Sequence, residues 1–310
     1  MIELKAQSAS GPTTQQTYPK PINQSFAGDV LNTAVYLKRT FSELNPYFIS
    51  AVGSDRLSTE MIDFIEQEQI NTDFVFRSKE KNAGLYAIET DEFGERSFTY
   101  WRENSAARDI MSFIGKEVVN SISTGDMVFF SGISLAVITP TDRAKFWLFI
   151  QTLKERGAKL VFDPNYRVRM WQNPEEAKAQ FEQAFSCADI ILPGVDDFEQ
   201  LYGLTTTDAV FEFCKQYQLD ELVIKNGEAG VFVYINEQAY HFQITPVDNV
   251  IDTTSAGDSF NGVYLGARAK GFDLEQAISL ASEAAGFVIQ HHGAIVEQCA
   301  YQAFIKEQYT

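Results

Sequence analysis

Residues Asp252 to Gly262 read D-T-T-S-A-G-D-S-F-N-G, which sets a carboxylate, Asp258, beside a run of small residues. From Thr254 to Gly257 no side chain is large, so the backbone N–H groups of Ser255, Ala256 and Gly257 can approach an anion closely. Gly257 can also take a positive φ at little cost. Phe260, Val263, Tyr264 and Ala267 follow with helical spacing, and Gly271 is a natural stop. A helix that begins near Ala256 aims its unpaired N–H groups and the positive end of its dipole at whatever lies over the turn. Asp258, in the first helical turn, is then placed to take a proton from a hydroxyl that attacks a phosphoryl group. The amides hold the charge that develops on the transferred oxygens. Taken alone, G-D-S is more readily the start of an ordinary capped helix. The whole string, with a small-faced helix behind it, favours the chemistry.

The elements that must position these groups are legible as alternation. Met127–Ser131 reads as a strand, 141–156 as a helix, Lys159–Asp163 as a strand, 174–186 as a helix, Ile190–Leu192 as a strand, 208–217 as a helix and Leu222–Lys225 as a strand. Such a pattern predicts a mostly parallel sheet with helices on both faces and ligands at the strands' C-terminal ends. Asp163, Asn165, Arg167, Lys225 and Asn226 fall at or just past such ends. The segment 84–102 differs: Gly84–Thr90 and Arg96–Arg102 are strand-like runs joined by Asp91–Glu95, a hairpin that implies a small accessory antiparallel sheet, completed by strand material near 17–26.

Outside the opening string, the informative charges are Arg102, Arg108 and Arg167. Y-W-R-E-N-S-A-A-R puts two guanidinium groups beside Tyr100 and Trp101, where an Arg fork matches a carboxylate and a Tyr hydroxyl can bond a keto or hydroxyl oxygen. Each arginine taken singly is more readily a surface partner of neighbours such as Glu103 and Asp109. Gly28, Asp29 and Asn32 open a helix over 29–40, where a Gly-Asp pair can serve as an N-cap. K-N-G-E-A-G (225–230) lacks the order of a Walker loop and reads as a strand-to-strand turn, because Val231–Tyr234 is the next strand. His291-His292 suggests no shared metal, since adjacent residues of a helix point to different sides.

The chain has 310 residues, 45% of them hydrophobic and 13% aromatic, enough for a sizeable core. A formal charge of −17 excludes nucleic acid and anionic membranes as natural partners, so an anionic ligand must meet locally concentrated positive groups. Three widely spaced cysteines without C-x-x-C pairing read as free thiols in a reducing compartment. No stretch approaches the ~20 apolar residues of a membrane span, and no signal peptide is evident; the expected location is the cytoplasm.

The opening string resembles the C-terminal signature of the ribokinase-like (PfkB) sugar kinases, usually D-T-x-G-A-G-D, with Ser255 in place of the first glycine. F-A-G-D-V-L-N-T (26–33), G-L-Y-A-I-E-T-D-E-F-G-E-R-S-F-T-Y-W-R (84–102), S-G-I-S-L-A (131–136), F-D-P-N-Y-R (162–167) and V-I-K-N-G-E-A-G (223–230) extend the resemblance over nearly the whole chain. They are most similar to the branch that phosphorylates a six-carbon 2-keto sugar acid at its terminal hydroxyl. The resemblance implies one three-layer α/β kinase domain over 1–310, with a β lid from about 5–26 and 83–108 that covers the sugar and joins subunits into a homo-oligomer. It implies ATP and Mg²⁺, with a monovalent cation as an open addition. It implies Asp258 as the base with Ser255, Ala256 and Gly257 as the anion hole, and Gly28, Asp29, Asn32, Tyr86, Tyr100, Arg102 and Arg167 as substrate contacts. Asn165, Arg167, Lys225, Gly227, Gly230, Ser255 and Gly257 are implied for the nucleotide, with Asp163 acting on the metal through water. The family's Asn-x-x-Glu metal motif is replaced by Gly194-Val195-Asp196-Asp197, which leaves the metal ligands unassigned. Similar kinases also begin with a further apolar strand before the segment matched by Met1-Ile2-Glu3-Leu4, so a longer form is expected to be the functional one. Fructokinase- or ribokinase-type activity, or a non-catalytic sugar-acid-binding regulator, are the alternatives.

Overall fold

The computed structural model describes residues 1–6, 21–90 and 96–308. The hairpin loop 91–95, and the part of the accessory sheet expected before residue 21, lie outside the described residues. The chain divides into two compact units, Met1–Gly28 with Tyr47–Phe113, and Asp29–Pro46 with Ile114–Thr310. Strands β1 (Ile2–Ala6) and β2 (Ile22–Phe26) precede α1 (Asp29–Thr40), which belongs to the second unit; β3 (Ser50–Val52), α2 (Arg56–Gln67), β4 (Val75–Arg77), β5 (Leu85–Thr90) and β6 (Arg96–Trp101) complete the first.

In the first unit β2-β1-β5-β6 form a four-stranded sheet and β3-β4 a separate parallel pair. The unit is therefore larger than the lid the sequence suggested. The register aligns Ser25, Glu3, Tyr86 and Tyr100 in one row across the four strands. Because successive side chains alternate faces, this row lies on a single face. Helix α2 starts where Asp55 accepts hydrogen bonds from the Ser58 amide at 3.0 Å and the Ser58 hydroxyl at 2.6 Å.

The second unit continues with α3 (Lys116–Ser121), β7 (Met127–Ser131), α4 (Gly132–Val137), α5 (Arg143–Glu155), β8 (Lys159–Asp163), α6 (Pro174–Cys187), β9 (Ile190–Ile191), α7 (Val195–Tyr202), α8 (Thr207–Cys214), β10 (Glu221–Lys225), β11 (Val231–Ile235), β12 (Gln238–Phe242), α9 (Ala256–Ala269), α10 (Leu274–Val288) and α11 (Gln298–Gln308). Its six strands lie in the order β12-β11-β10-β9-β8-β7, with β7 to β10 parallel and the last two antiparallel. Alternate residues feed two cores. Val161, Leu192, Val223 and Val233 pack with Tyr36, Phe260, Val263 and Tyr264 of α1 and α9, whereas Phe162 meets Phe181 and Phe185 of α6 on the other face. Helices on both faces of the sheet make three layers.

Helix α9 is held at two points. A Cβ on Gly262 would lie 2.2 Å from the Thr33 carbonyl oxygen, so only glycine lets α1 and α9 approach this closely. Near its far end Arg268 pairs with Glu221 at 2.6 Å, and the buried Tyr264 hydroxyl donates to the same carboxylate at 2.6 Å.

Candidate active site

The C-terminal ends of β7, β8 and β10 and the N-termini of α1 and α9 bring the chemistry-bearing side chains of the second unit together. Asp258 sits in the first turn of α9 and Asp29 in the first turn of α1. Asn32, one turn after Asp29, donates to Asp258 Oδ2 at 2.8 Å. The Ser131 hydroxyl, buried at the end of β7, donates to Asp29 Oδ2, and the Asn165 amide leans on the same oxygen at 3.5 Å. Burial pushes the Asp258 carboxyl up to about 7, helped by the charges of Asp29 and Asp163 and opposed by the Asn32 hydrogen bond. Asp29 is also raised by burial, against the pull of Ser131. A carboxylate that changes charge near neutral pH, beside a helix N-terminus, is suited to proton transfer.

The turn before α9 is tighter than the sequence implied. Ser255 occupies the left-handed region at φ 67°, ψ 10°, where a side chain costs about 1 kcal/mol or more; its buried hydroxyl makes no hydrogen bond of ordinary geometry among the described residues, yet lies close enough to Asp258 to help stabilise the ionised carboxylate. The small residues of the turn imply the Ala256 amide as an anion donor; in the structure it closes a turn onto the Thr253 carbonyl at 3.3 Å. The amides of Ser255, Gly257 and Asp258 are left pointing from the helix start, without an acceptor among the described residues.

Lys225, at the end of β10, donates to Asn261 Oδ1 at 3.0 Å and stands 3.7 Å from Asp163 Oδ1. Asn261, fully buried one turn after Asp258, donates to Asp163 Oδ2 at 2.8 Å. Gly227 and Gly230 flank the short turn into β11; a Cβ at Gly230 would meet the Phe242 carbonyl at 2.3 Å, so packing alone requires that glycine. Arg167 donates to the Tyr166 carbonyl at 2.9 Å and lies 4.0 Å from Asp197, with 56% of its side chain exposed. Asp197 accepts from the Tyr166 and Gly194 amides at 2.8 and 3.1 Å. Burial and nearby Asp163 push it up to about 6, with Lys225 opposing.

Among the described residues no three His, Cys, Asp or Glu side chains gather as a metal cage. Among the described residues Asp163 Oδ1 is the carboxylate oxygen that is buried without a hydrogen bond, which fits a water-linked contact to a metal carried by a nucleotide rather than direct ligation.

The remaining substrate-contact candidates lie in the first unit. The Tyr86 hydroxyl donates to Glu3, which also accepts from Ser25 at 2.9 Å, and Arg102 stacks its guanidinium 4.1 Å over the Tyr100 ring. Gly28 closes that unit, whereas Asp29, Asn32, Arg167 and Asp258 belong to the other. Sequence reasoning assigned no role to Ser131, Asn261 or Glu3. Ser131 was findable as a polar residue at a strand's C-terminal end, and Asn261 as the same-face neighbour of Asp258 one turn along.

A model of the pfkB family carbohydrate kinases matches residues 1–299. The chain belongs to the pfkB family of carbohydrate kinases. A curated relative of this pfkB kinase from Dickeya dadantii (strain 3937), named 2-dehydro-3-deoxygluconokinase, is 36% identical over 303 residues, 96% of this chain and 94% of the relative. A fructokinase from Salmonella typhimurium is 26% identical over 274 residues, 86% of each chain. The crystal structure of a putative Ribokinase II (apo form) from E. coli superposes with a TM-score of 0.82 at 20% identity, covering 99% of this chain and 96% of that one. The fold is ribokinase-like.

Proposed function

We propose that this kinase transfers the γ-phosphoryl group of ATP to the 6-hydroxyl of 2-dehydro-3-deoxygluconate. The observation that carries the chemistry is Asp258: a carboxylate raised to about 7 at a helix N-terminus whose amides are open to an anion. The 36% identity to a 2-dehydro-3-deoxygluconokinase, against 26% to a fructokinase, supports the substrate. Asp258 takes the proton as the hydroxyl oxygen bonds to phosphorus and the bond from phosphorus to the bridging oxygen of ADP breaks. The Ser255 and Gly257 amides and the Lys225 ammonium receive the charge on the transferred oxygens. Asp29 and Asn32 bond sugar hydroxyls; Arg102, Arg167, Tyr86 and Tyr100 serve the carboxylate and keto end. Asn165, Gly227 and Gly230 serve the nucleotide. Mg²⁺ bound with ATP supplies charge neutralisation, with Asp163 the residue suited to reach it through water. We place the enzyme in the cytoplasm; among the described residues no helix is long and apolar enough to cross a membrane. We assign subunit contact to the four-stranded sheet, whose edge strands expose 55% of Ile22 and 56% of Trp101.

A panel of sugars and sugar acids, assayed with ATP and Mg²⁺ for parent and Arg102→Leu, tests the substrate. The keto acid is expected to be the best substrate and the variant to lose activity on it selectively, by about tenfold or more, the worth of one charge-assisted hydrogen bond. Equal rates on neutral sugars, or no effect of Arg102→Leu, overturn the substrate reading.

A further inference from the structure

Asn261 is completely buried, yet its side chain is polar at both ends and both ends are spoken for. Oδ1 accepts from Lys225 Nζ at 3.0 Å and Nδ2 donates to Asp163 Oδ2 at 2.8 Å. These partners fix the amide in one orientation, because a flip would set its NH₂ against the ammonium and its oxygen against the carboxylate. Asp163, itself only 4% exposed, thus orients Asn261 and stands 3.7 Å from the ammonium. The result is a lysine whose long chain, ordinarily free to sample many rotamers, is held at its tip by two buried groups. A Cβ built on Gly257 would lie 3.7 Å from Lys225 Nζ, so the tip is held beside Gly257 in the turn before Asp258. An apolar residue in place of Asn261 would leave Asp163 Oδ2 and the Lys225 ammonium without this buried partner. The amide is thus matched to the two charges it bridges.

We propose that Asn261 is a positioning residue: with Asp163 it holds the Lys225 ammonium against the Gly257 end of the anion-binding turn, where the ammonium receives a phosphate of ATP. Asn261 need not touch the nucleotide; it acts through Lys225. The inference rests on the ATP-dependent kinase reading above, but not on the identity of the sugar acid.

The test is a double-mutant cycle on Asn261→Leu, Lys225→Met and the double variant. Mg·ATP dissociation constants are measured by calorimetry without sugar acid, and KM and kcat for both substrates in the full assay. Each single change is expected to weaken ATP binding by about tenfold or more, the loss typical of a hydrogen bond to a charged group. KM for the sugar acid should stay within about twofold. The double variant should bind ATP within about threefold of Lys225→Met alone, since removing the lysine removes what Asn261 positions. Unchanged ATP binding in Asn261→Leu, or singles whose effects multiply in the double, overturns the proposal. Should Asn261→Leu fail to fold, Asp163→Asn keeps the side-chain volume and turns an amide toward the ammonium; it must weaken ATP binding by a similar factor, and unaltered binding rejects the assignment. A parent that binds ATP in an Asn261-dependent way yet leaves the keto acid untouched sinks the substrate reading alone.

Discussion

Replacing Asp258 with asparagine should make the protein slower and more stable at once, and the second effect should depend on pH in a way that can be worked out. The native carboxyl is raised from 3.8 to about 7, so the folded protein holds this proton more tightly than the unfolded chain. Stability from this group is therefore full below the unfolded pKa near 3.8 and falls as pH rises, levelling off above about 7. Over that range the slope is about 1.36 kcal/mol per pH unit, so the whole penalty has a ceiling of order 4 kcal/mol. Between pH 5.5 and 7 about 1.5 units remain, so some 2 kcal/mol of it accrues there. The asparagine never ionises, fits the same space and can still accept the Asn32 hydrogen bond through its Oδ1. Its stability margin over the parent should thus widen by about 2 kcal/mol from pH 5.5 to pH 8, read as urea midpoints at constant slope. Loss of the base should lower kcat by ~10²–10⁴ with KM for the sugar acid nearly unchanged. A kcat within tenfold of the parent, or a margin that is flat or shrinks with rising pH, would refute the reasoning.

The same raised carboxyl gives kcat/KM an acid limb centred near pH 7 in the parent, because only the ionised form takes a proton. The Asn32 hydrogen bond lowers this pKa, so Asn32→Ala should move the limb to higher pH; a limb that stays or moves down contradicts the assignment. Ser255→Gly relieves the left-handed backbone at φ 67° and should stabilise by about 0.5–1 kcal/mol after the entropy of glycine is counted, with kcat within twofold; a lower Tm would show that the buried hydroxyl earns its place. Gly262→Ala puts a methyl group 2.2 Å from the Thr33 carbonyl and should cost about 1–3 kcal/mol on denaturation while also lowering kcat, since Asn32 must shift with α1; a neutral substitution would mean that the helices part freely.

Much of this was legible in the chain because local and global signals agreed. The strands 127–131 and 159–163 and the helix from Ala256 read correctly from alternation and spacing, since the strands send alternate residues to the two faces of the sheet and the helix buries Phe260, Val263, Tyr264 and Ala267 in one core. What escaped was long-range polar pairing. Nothing near Ser131 in sequence announces that its hydroxyl serves Asp29, 102 positions away, and Asn261 gains its meaning only from strands 36 and 98 residues earlier. The internal bond of the Ala256 amide is hidden for a similar reason: small residues advertise open donors, but a left-handed Ser255 curls the turn so that one of them is used internally. Gly230 has a packing reason of its own, because the Phe242 carbonyl opposite leaves no room for a Cβ, and nothing near it in sequence announces that neighbour.

The two anchors of α9 have a consequence for how the enzyme spends its binding energy. Turning the helix about its axis would drive Gly262 into the Thr33 carbonyl, and sliding it would tear Arg268 and Tyr264 from Glu221. The carboxylate at its head is consequently aimed before any ligand arrives. Substrate affinity need not be drawn on to assemble the base, and selectivity between sugars has to be exercised by groups that are not fixed to this helix.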